Sequence, residues 1–294
     1  MKLFDLHSDT LYEAYHRGVS PLFSEHLQAP LGLSPFEVTH RIAAIWCDNT
    51  LDDESAWQEY LRIYASSEAA LIKESLPDFV TFDYAVEDAR LLAGKLDRLM
   101  ILRQNGTKVL TLMWQGLSSI GGAWDTDEGL TDFGKAIVQN APFLGITLDI
   151  SHASEKAAKE VLKLSERSLC RVIATHSNSF TVCPHRRNLS DYLFDALAER
   201  SSPVGISMVP SHLSKTGKAD FDTILSHIAY FLKRKNAENI LAIGSDFDGV
   251  STLPEGISSL GSLPAFYRHT ESLLGKALTE AIFWRNAHRF FAEG

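Results

Sequence analysis

Short apolar segments rich in β-forming residues alternate along the chain with longer segments whose apolar residues recur at helical spacing. Eight segments are predicted to be strands: residues 2–6, 41–47, 81–86, 108–113, 145–150, 171–175, 203–209 and 240–244. Helices are predicted between them, and the clearest patterns cover residues 53–74, 85–105, 154–164, 190–200 and 221–235. This alternation is typical of a parallel sheet covered by helices.

Eight strands in 294 residues predict an α/β protein that forms one (β/α)8 barrel, or TIM barrel, over residues 1–294. A doubly wound open sheet has the same periodicity and is the alternative. The barrel is favoured because candidate site residues follow the C-terminal ends of several different strands, where barrels build their active sites. A doubly wound sheet uses one switch point, often with a glycine-rich loop, and the chain has no GxGxxG or GxxxxGK[ST] sequence.

Composition restricts the partners and the compartment. Hydrophobic residues make up 45% of the chain, and the net charge of -9 argues against nucleic acid and anionic membranes, which need clustered Lys and Arg. The three cysteines form no CxxC pair, and no apolar run is long enough to cross a bilayer. The first residues lack the apolar core of a signal peptide. We therefore expect a soluble, cytoplasmic protein with reduced thiols.

A histidine and an acid stand two residues apart at the end of the first predicted strand, in the sequence DLHSD. In an extended chain the side chains of His7 and Asp9 point to the same side, so both could bind one cation. An incidental histidine beside a helix cap is the alternative.

Two later strands share one design, because LDISH ends at His152 and VIATH ends at His176. Either histidine alone could simply end a strand. On adjacent strands of one barrel, however, the two imidazoles would converge above the sheet, as metal-binding imidazoles do.

The sequence IGSDFDG closes the last predicted strand. It is not a calcium loop of the EF-hand type, which needs Gly at position six and Glu at position twelve, because Gly249 falls at position four and Ile257 at position twelve. Asp246 is therefore interpreted as a metal ligand or proton acceptor, and Asp248-Gly249 as a turn.

Two other residues are ambiguous. Glu87 stands near the start of a predicted helix, where acids are favoured without any function. Cys183 precedes Pro184-His185 and could be a thiol nucleophile, although nothing in the sequence specifies its base or the group that orients that base. No GxSxG sequence indicates a serine nucleophile.

Taken together, these segments resemble the membrane (renal) dipeptidase family, peptidase family M19, including its soluble bacterial members. The similarity covers most of the chain and is strongest at residues 5–10, 129–154, 174–191 and 244–250. Several motifs in the right order and at the right intervals are much more specific than any one of them.

The resemblance implies a barrel of the amidohydrolase type with two divalent metal ions, usually zinc. It implies six metal ligands in this chain: His7, Asp9, Glu87, His152, His176 and Asp246. Asp246 would stand beside the first metal, the two histidines that follow the fifth and sixth strands would hold the second, and Glu87 would bridge both. Arg187 matches the arginine that binds the terminal carboxylate of the substrate, a role that suits a guanidinium group.

One position departs from the family pattern. The family has a substrate-polarising histidine after its fourth strand, in the context LTLTH, whereas this chain has LTLMW, which ends at Trp114. An indole can donate one hydrogen bond but cannot carry a proton. Trp114 is therefore interpreted as a residue that binds substrate.

The expected function is that of a zinc-dependent dipeptidase that cleaves a small dipeptide with a metal-bridging hydroxide, with Asp246 as the catalytic proton acceptor. Because of Trp114, two alternatives stay open: hydrolysis of another small amide, lactam or N-acyl amino acid, and a non-catalytic barrel that retains the metal site. A thiol hydrolase that uses Cys183 is a third. The resemblance also suggests a homodimer.

Overall fold

The computed structural model describes residues 1–168 and 170–293. Its eight strands are β1 Lys2–Ser8, β2 Val38–Ile45, β3 Val80–Glu87, β4 Thr107–Thr111, β5 Thr147–Asp149, β6 Val172–Ile173, β7 Val204–Ile206 and β8 Leu241–Ile243. All neighbouring strands pair in parallel, in the order β6-β5-β4-β3-β2-β1-β8-β7.

The ring of strands closes between β6 and β7. Ala174 forms a parallel bridge with Val204, and the amide of Gly205 donates a hydrogen bond of 2.8 Å to the carbonyl oxygen of Ala174. The fold is therefore the TIM barrel that the sequence predicts, and the open-sheet alternative is wrong.

Helices follow most strands and cover the barrel. Their bounds are α1 Thr10–Arg17, α2 Asp53–Lys73, α3 Arg98–Gln104, α4 Asp132–Asn140, α5 Glu155–Ser168, α6 Asp191–Glu199, α7 Pro210–Leu213, α8 Phe221–Phe231, α9 Leu263–Leu274, α10 Lys276–Glu280 and α11 Asn286–Ala292. Among the described residues, no helix is both long and apolar enough to span a membrane.

The helix predicted at residues 85–105 is wrong in its extent. Its first three residues complete β3, Ala89–Leu92 forms a 3-10 turn, and α3 covers only its last part. Asp88 and Ala93 interrupt the helical pattern because both have left-handed backbone angles, with φ of 78° and 50°. Pairing with β2 and β4 extends the strand to Glu87, so a tertiary contact outweighs the local helical pattern.

Two apolar layers hold the barrel together. The larger lies between the strands and the helices. The smaller fills the barrel interior with Phe4, Leu6, Ile42, Ala44, Ala85, Val109, Ile173 and Ala242, and α11 adds Ala287. Aromatic residues near the C-terminus, such as Phe291, pack beneath this inner layer and stack on Phe4 near the start of β1. The opposite, C-terminal rim is where the polar side chains lie.

The closure of the barrel generates a stability prediction. A Cβ atom on Gly244 would lie 1.8 Å from the carbonyl oxygen of Thr175, and one on Gly205 would lie 1.9 Å from the same atom. Because the obstacle is backbone, we expect Gly244→Ala to lower the free energy of unfolding by about 3 kcal/mol. Gly261→Ala, at an exposed turn, is the control and should change it by less than about 0.5 kcal/mol. Equal effects of the two substitutions in urea unfolding would contradict this account of the closure.

Candidate metal centre

Six polar side chains meet at the C-terminal rim, at the ends of five strands. His7 lies in β1, Asp9 directly follows it, and Glu87 is the last residue of β3. His152, His176 and Asp246 lie three residues beyond the ends of β5, β6 and β8, respectively. All six are at most 9% exposed. The structure thus brings together the residues that the sequence analysis selects as ligands.

The carboxylate of Glu87 lies at the centre of this cluster. Its Oε1 atom is 2.9 Å from His152 Nε2, 3.4 Å from His176 Nε2 and 3.6 Å from His7 Nε2. The end of β3 fixes this position, because Glu87 pairs with Thr111 of β4. One carboxylate oxygen near three imidazoles suits a ligand that two cations share.

A second group of ligand atoms surrounds His7. His7 Nε2 is 3.5 Å from Asp9 Oδ2, and single ligand atoms of His7, Asp9 and Asp246 lie within 4.8 Å of one another. Among the described residues, neither ring nitrogen of His7 has a hydrogen-bond partner, and neither does Asp9 Oδ1. Buried polar atoms normally have partners, so this group has the character of a ligand set for a cation.

Hydrogen bonds fix which nitrogen of each of the other two histidines is free. The Thr175 hydroxyl donates to Asp149 Oδ2 at 2.6 Å, so it accepts at 2.8 Å from the Nδ1–H of His176. His152 Nδ1 is 2.9 Å from the carbonyl oxygen of Trp114, which can only accept. Both histidines therefore carry hydrogen on Nδ1 and a lone pair on Nε2.

These two lone pairs face each other. His152 Nε2 and His176 Nε2 are only 3.0 Å apart, yet in these tautomers neither has a hydrogen to donate. Two acceptors at this distance repel unless a positive charge lies beside both. A metal ion supplies such a charge, and imidazole nitrogens of this kind are common zinc ligands.

Buried carboxylates support the ligands from below. Asp149 accepts hydrogen bonds from Thr111, Ser151 and Thr175, and so orients the chain that leads to His176. Asp5 similarly orients the chain that leads to Asp246. It accepts hydrogen bonds from both the amide and the hydroxyl of Ser245, the residue before Asp246. An acid on one strand thus fixes a hydroxyl residue that directly precedes a ligand.

Backbone strain is concentrated at the same rim. His152 and Asp246 both have left-handed backbone angles, with φ of 70° and 64°. Such angles are costly for residues other than glycine and cluster at functional sites. Gly249 allows the close packing here, because a Cβ atom would lie 2.2 Å from Asp9 Oδ2 and 2.7 Å from Asp246 Oδ1.

Electrostatic effects at the rim follow from burial and crowding. Burial raises the pKa of Glu87 well above its usual value, and the charge of Asp9 raises it further. Burial would lower the pKa of His7, but the charges of Glu87 and Asp9 raise it to about 10. Burial also raises the pKa of Asp246, to about 6. The acids thus favour added positive charge at the centre of the cluster.

Burial has the opposite effect on the other two histidines, whose pKa values it lowers well below the usual range. His152 and His176 are therefore neutral, which is the form that binds metal ions. Neutral imidazoles, crowded carboxylates and buried polar atoms without partners all favour a bound cation, so these side chains fit a metal ion.

A cavity of about 600 Å³ opens above the cluster. Trp114 and Arg187 line it, as the sequence analysis expects of residues that bind substrate. Arg187 is 5% exposed, and within the described ranges its Nε and Nη2 atoms have no hydrogen-bond partner. Burial lowers the pKa of Arg187, and the charges of Asp246 and Glu87 oppose that effect. The size suits a small organic substrate.

The supporting residues Asp5, Asp149 and Thr175 were not among those predicted from the sequence. Their signal was present, because Asp5 precedes His7 by two residues and Asp149 precedes Ser151-His152 in the two motifs that contain ligands.

Cys183 is buried, and burial raises the pKa of its thiol. A high thiol pKa disfavours the thiol-hydrolase alternative, since the thiolate is the nucleophile.

A closed barrel with a candidate metal centre at its C-terminal rim has the arrangement of a metal-dependent barrel enzyme, because barrels build their active sites at that rim. The family model of the membrane dipeptidases, peptidase family M19, matches residues 48–293, and the chain belongs to this family. The matched range contains Glu87, His152, His176, Arg187 and Asp246, and it begins after the first strand.

Solved structures share the fold over nearly the whole chain. The dipeptidase AC, a metallopeptidase of family M19, is 24% identical with a TM-score of 0.87, over 98% of this chain and 97% of that one. A metallopeptidase from Rhodobacter sphaeroides, solved with a phosphinate mimic of the dipeptide L-Ala-D-Ala, is 22% identical with a TM-score of 0.84, over 99% of both chains.

A sequence relative has no assigned activity. The uncharacterized protein in the pqqA 5' region of Klebsiella pneumoniae is 31% identical over 173 residues, which is 57% of this chain. The matched segment spans 62% of that protein's length.

The support of His176 by Thr175 leads to a prediction. Thr175→Val removes the hydroxyl that links Asp149 to His176, so we expect zinc affinity to fall about 10- to 100-fold. Thr111→Val is the matched control, because Thr111 also donates to Asp149 Oδ2, at 2.7 Å, and no hydrogen bond joins it to His176. Titration against a competing chelator measures both. Equal losses in the two variants would show that the hydroxyl does not act through His176.

Proposed function

We propose that this chain is a binuclear metal-dependent hydrolase that cleaves the amide bond of a dipeptide or a similar small amide. We further propose that residues 1–294 act as one catalytic domain. The observation that carries the proposal is the position of Glu87, whose Oε1 atom lies within 3.6 Å of three imidazole nitrogens beneath an open cavity. The family and the fold of its dipeptidase relatives support it.

The ligands divide into two sets in this proposal. His7, Asp9 and Asp246 would hold one divalent ion, zinc by analogy with the family, and His152 and His176 would hold the other. Glu87 would be a ligand shared by both sets, consistent with its distances to histidines of both. When bound, such ions lower the pKa of a water molecule toward neutrality and polarise a carbonyl group.

Asp246 moves the proton in this proposal. Its carboxylate accepts a proton from the attacking water and passes it to the leaving amine. It is suited to this role because it is buried, lines the cavity and directly follows Ser245, which Asp5 binds through two hydrogen bonds. Fixed geometry of this kind keeps the carboxylate close to the reacting atoms.

Arg187 binds the free carboxylate of the substrate. Arg187 lines the cavity, and two nitrogens of its buried guanidinium group have no hydrogen-bond partner in the described part of the chain. A carboxylate would pair with them through charge-assisted hydrogen bonds and so place the scissile amide over the ligand cluster.

Trp114 supports a second candidate substrate class. It lines the cavity beside His152, with ring centroids 6.1 Å apart, where the family has a histidine that polarises the substrate. An indole cannot replace that histidine as a proton carrier. A small amide, lactam or N-acyl amino acid is therefore the alternative substrate.

The cytoplasmic location and the homodimer that the sequence suggests stay predictions.

Metal content and turnover test the proposal together. Purified protein reconstituted with zinc is expected to hold two ions per chain and to hydrolyse members of a panel of dipeptides and N-acyl amino acids. We expect Asp246→Asn to lower kcat roughly 100-fold or more with zinc content retained, because it removes the proton acceptor but keeps a ligand oxygen. Fewer than one ion per chain, or no turnover by the zinc-loaded protein, would contradict the proposal.

The role of Arg187 is tested with paired substrates. We expect Arg187→Met to lower kcat/KM for a dipeptide with a free carboxylate about 10- to 100-fold, because a charge-assisted pair is lost. The C-terminal amide of the same dipeptide should lose much less. Arg186→Met is the control, since Arg186 is exposed and pairs with Asp127. Equal losses for the acid and the amide would exclude carboxylate binding by Arg187.

A further inference from the structure

Three aromatic side chains form a continuous surface on one side of the cavity. They are Tyr12 of α1, Trp46 just beyond β2, and Trp114 beyond β4, and we call them the aromatic wall. The ring centroids of Tyr12 and Trp46 are 4.8 Å apart, and those of Trp46 and Trp114 are 4.9 Å apart. All three are half-buried, so each presents ring surface to the cavity.

The aromatic wall and Arg187 follow strands on different sides of the barrel. Trp46 follows β2, whereas Arg187 follows β6, and these strands are opposite each other in an eight-stranded ring. A substrate whose carboxylate pairs with Arg187 therefore extends across the cluster and directs its other end toward the wall. In a dipeptide, that other end is the residue that supplies the acyl group.

Two of the acids beside the wall have close partners. Glu13 accepts a hydrogen bond from Arg17 at 2.5 Å, and Glu59 lies 3.2 Å from His16 Nε2. Burial, with the nearby acids, raises the pKa of Tyr12 to about 12, so its ring is uncharged at neutral pH. The wall thus offers contiguous uncharged ring faces, which suit an apolar or aromatic group.

We propose that the aromatic wall makes the site selective for substrates with an aromatic or large apolar side chain on the acyl side of the scissile amide. This inference rests on the proposed hydrolase function and specifies its substrate class. It also gives Trp114 a role: where the family has a polarising histidine, this chain has ring surface that continues the wall from Trp46.

A pair of phosphinate dipeptide mimics tests the wall without turnover. In both, phosphorus replaces the scissile carbonyl carbon and a methylene replaces the amide nitrogen, and they differ only in an N-terminal phenylalanine or alanine side chain. We expect the zinc-loaded protein to bind the phenylalanine mimic at least about tenfold more tightly, as measured by calorimetry. In Trp46→Ala this advantage is expected to fall below about threefold.

Tyr12→Ala is a second variant, in case Trp46→Ala does not fold, and it should reduce the same ratio. Phe143→Ala is the control, because Phe143 is 86% exposed and does not line the cavity, and it should leave the ratio unchanged. Equal binding of the two mimics by the wild type, or tighter binding of a lysine mimic, would overturn the inference.

The outcomes separate this inference from the function on which it rests. Binding that depends on Trp46 and favours the phenylalanine mimic, without hydrolysis of any amide in the panel, would support the wall and overturn the hydrolase proposal. Hydrolysis with equal kcat/KM for Phe-Gly and Ala-Gly would support the hydrolase and overturn the wall.

Discussion

The crowding of carboxylates and imidazoles around Glu87 is the constraint on which the rest of the site depends. Its Oε1 atom lies within 3.6 Å of three ring nitrogens, and two of those nitrogens face each other with lone pairs. Gathering such groups away from water is costly unless a cation binds among them. The barrel tolerates this cost because five strands, each held by its neighbours, fix the backbone positions from which the ligands project.

Hydrogen-bonded acids inside the barrel fix the positions of the residues that precede two of the ligands. Asp149 binds Thr175, whose hydroxyl sets the tautomer of His176, and Asp5 binds Ser245 beside Asp246. The same arrangement, an acid that binds the hydroxyl residue directly before a candidate ligand, thus occurs at two places in the ring. Above it, a buried guanidinium group and three aromatic rings line the cavity, where we propose that they select the substrate. The groups proposed to carry out the reaction therefore lie at the rim, and those proposed to select the substrate line the cavity above it.

Much of this could be predicted from the sequence, because strand ends are marked by an abrupt change from apolar to polar residues. His152 and His176 were found in this way, and the alternation of strands and helices identified the barrel. The extent of β3 was not predictable, since residues 85–87 read locally as the start of a helix and only pairing with β2 and β4 makes them a strand. Glu87 was selected by family resemblance, and its central position follows from that pairing.

The sequence by itself determined which residue types end each strand, and hence that imidazoles and carboxylates would gather at one rim, because strand direction and side-chain alternation are local properties. Only the tertiary structure decided which atoms face one another. The tautomers of His152 and His176 depend on the Trp114 carbonyl and Thr175, and the contact of Trp46 with Trp114 joins residues 68 positions apart (46 to 114). Such contacts arise because the barrel brings the ends of different strands together, which no local pattern encodes.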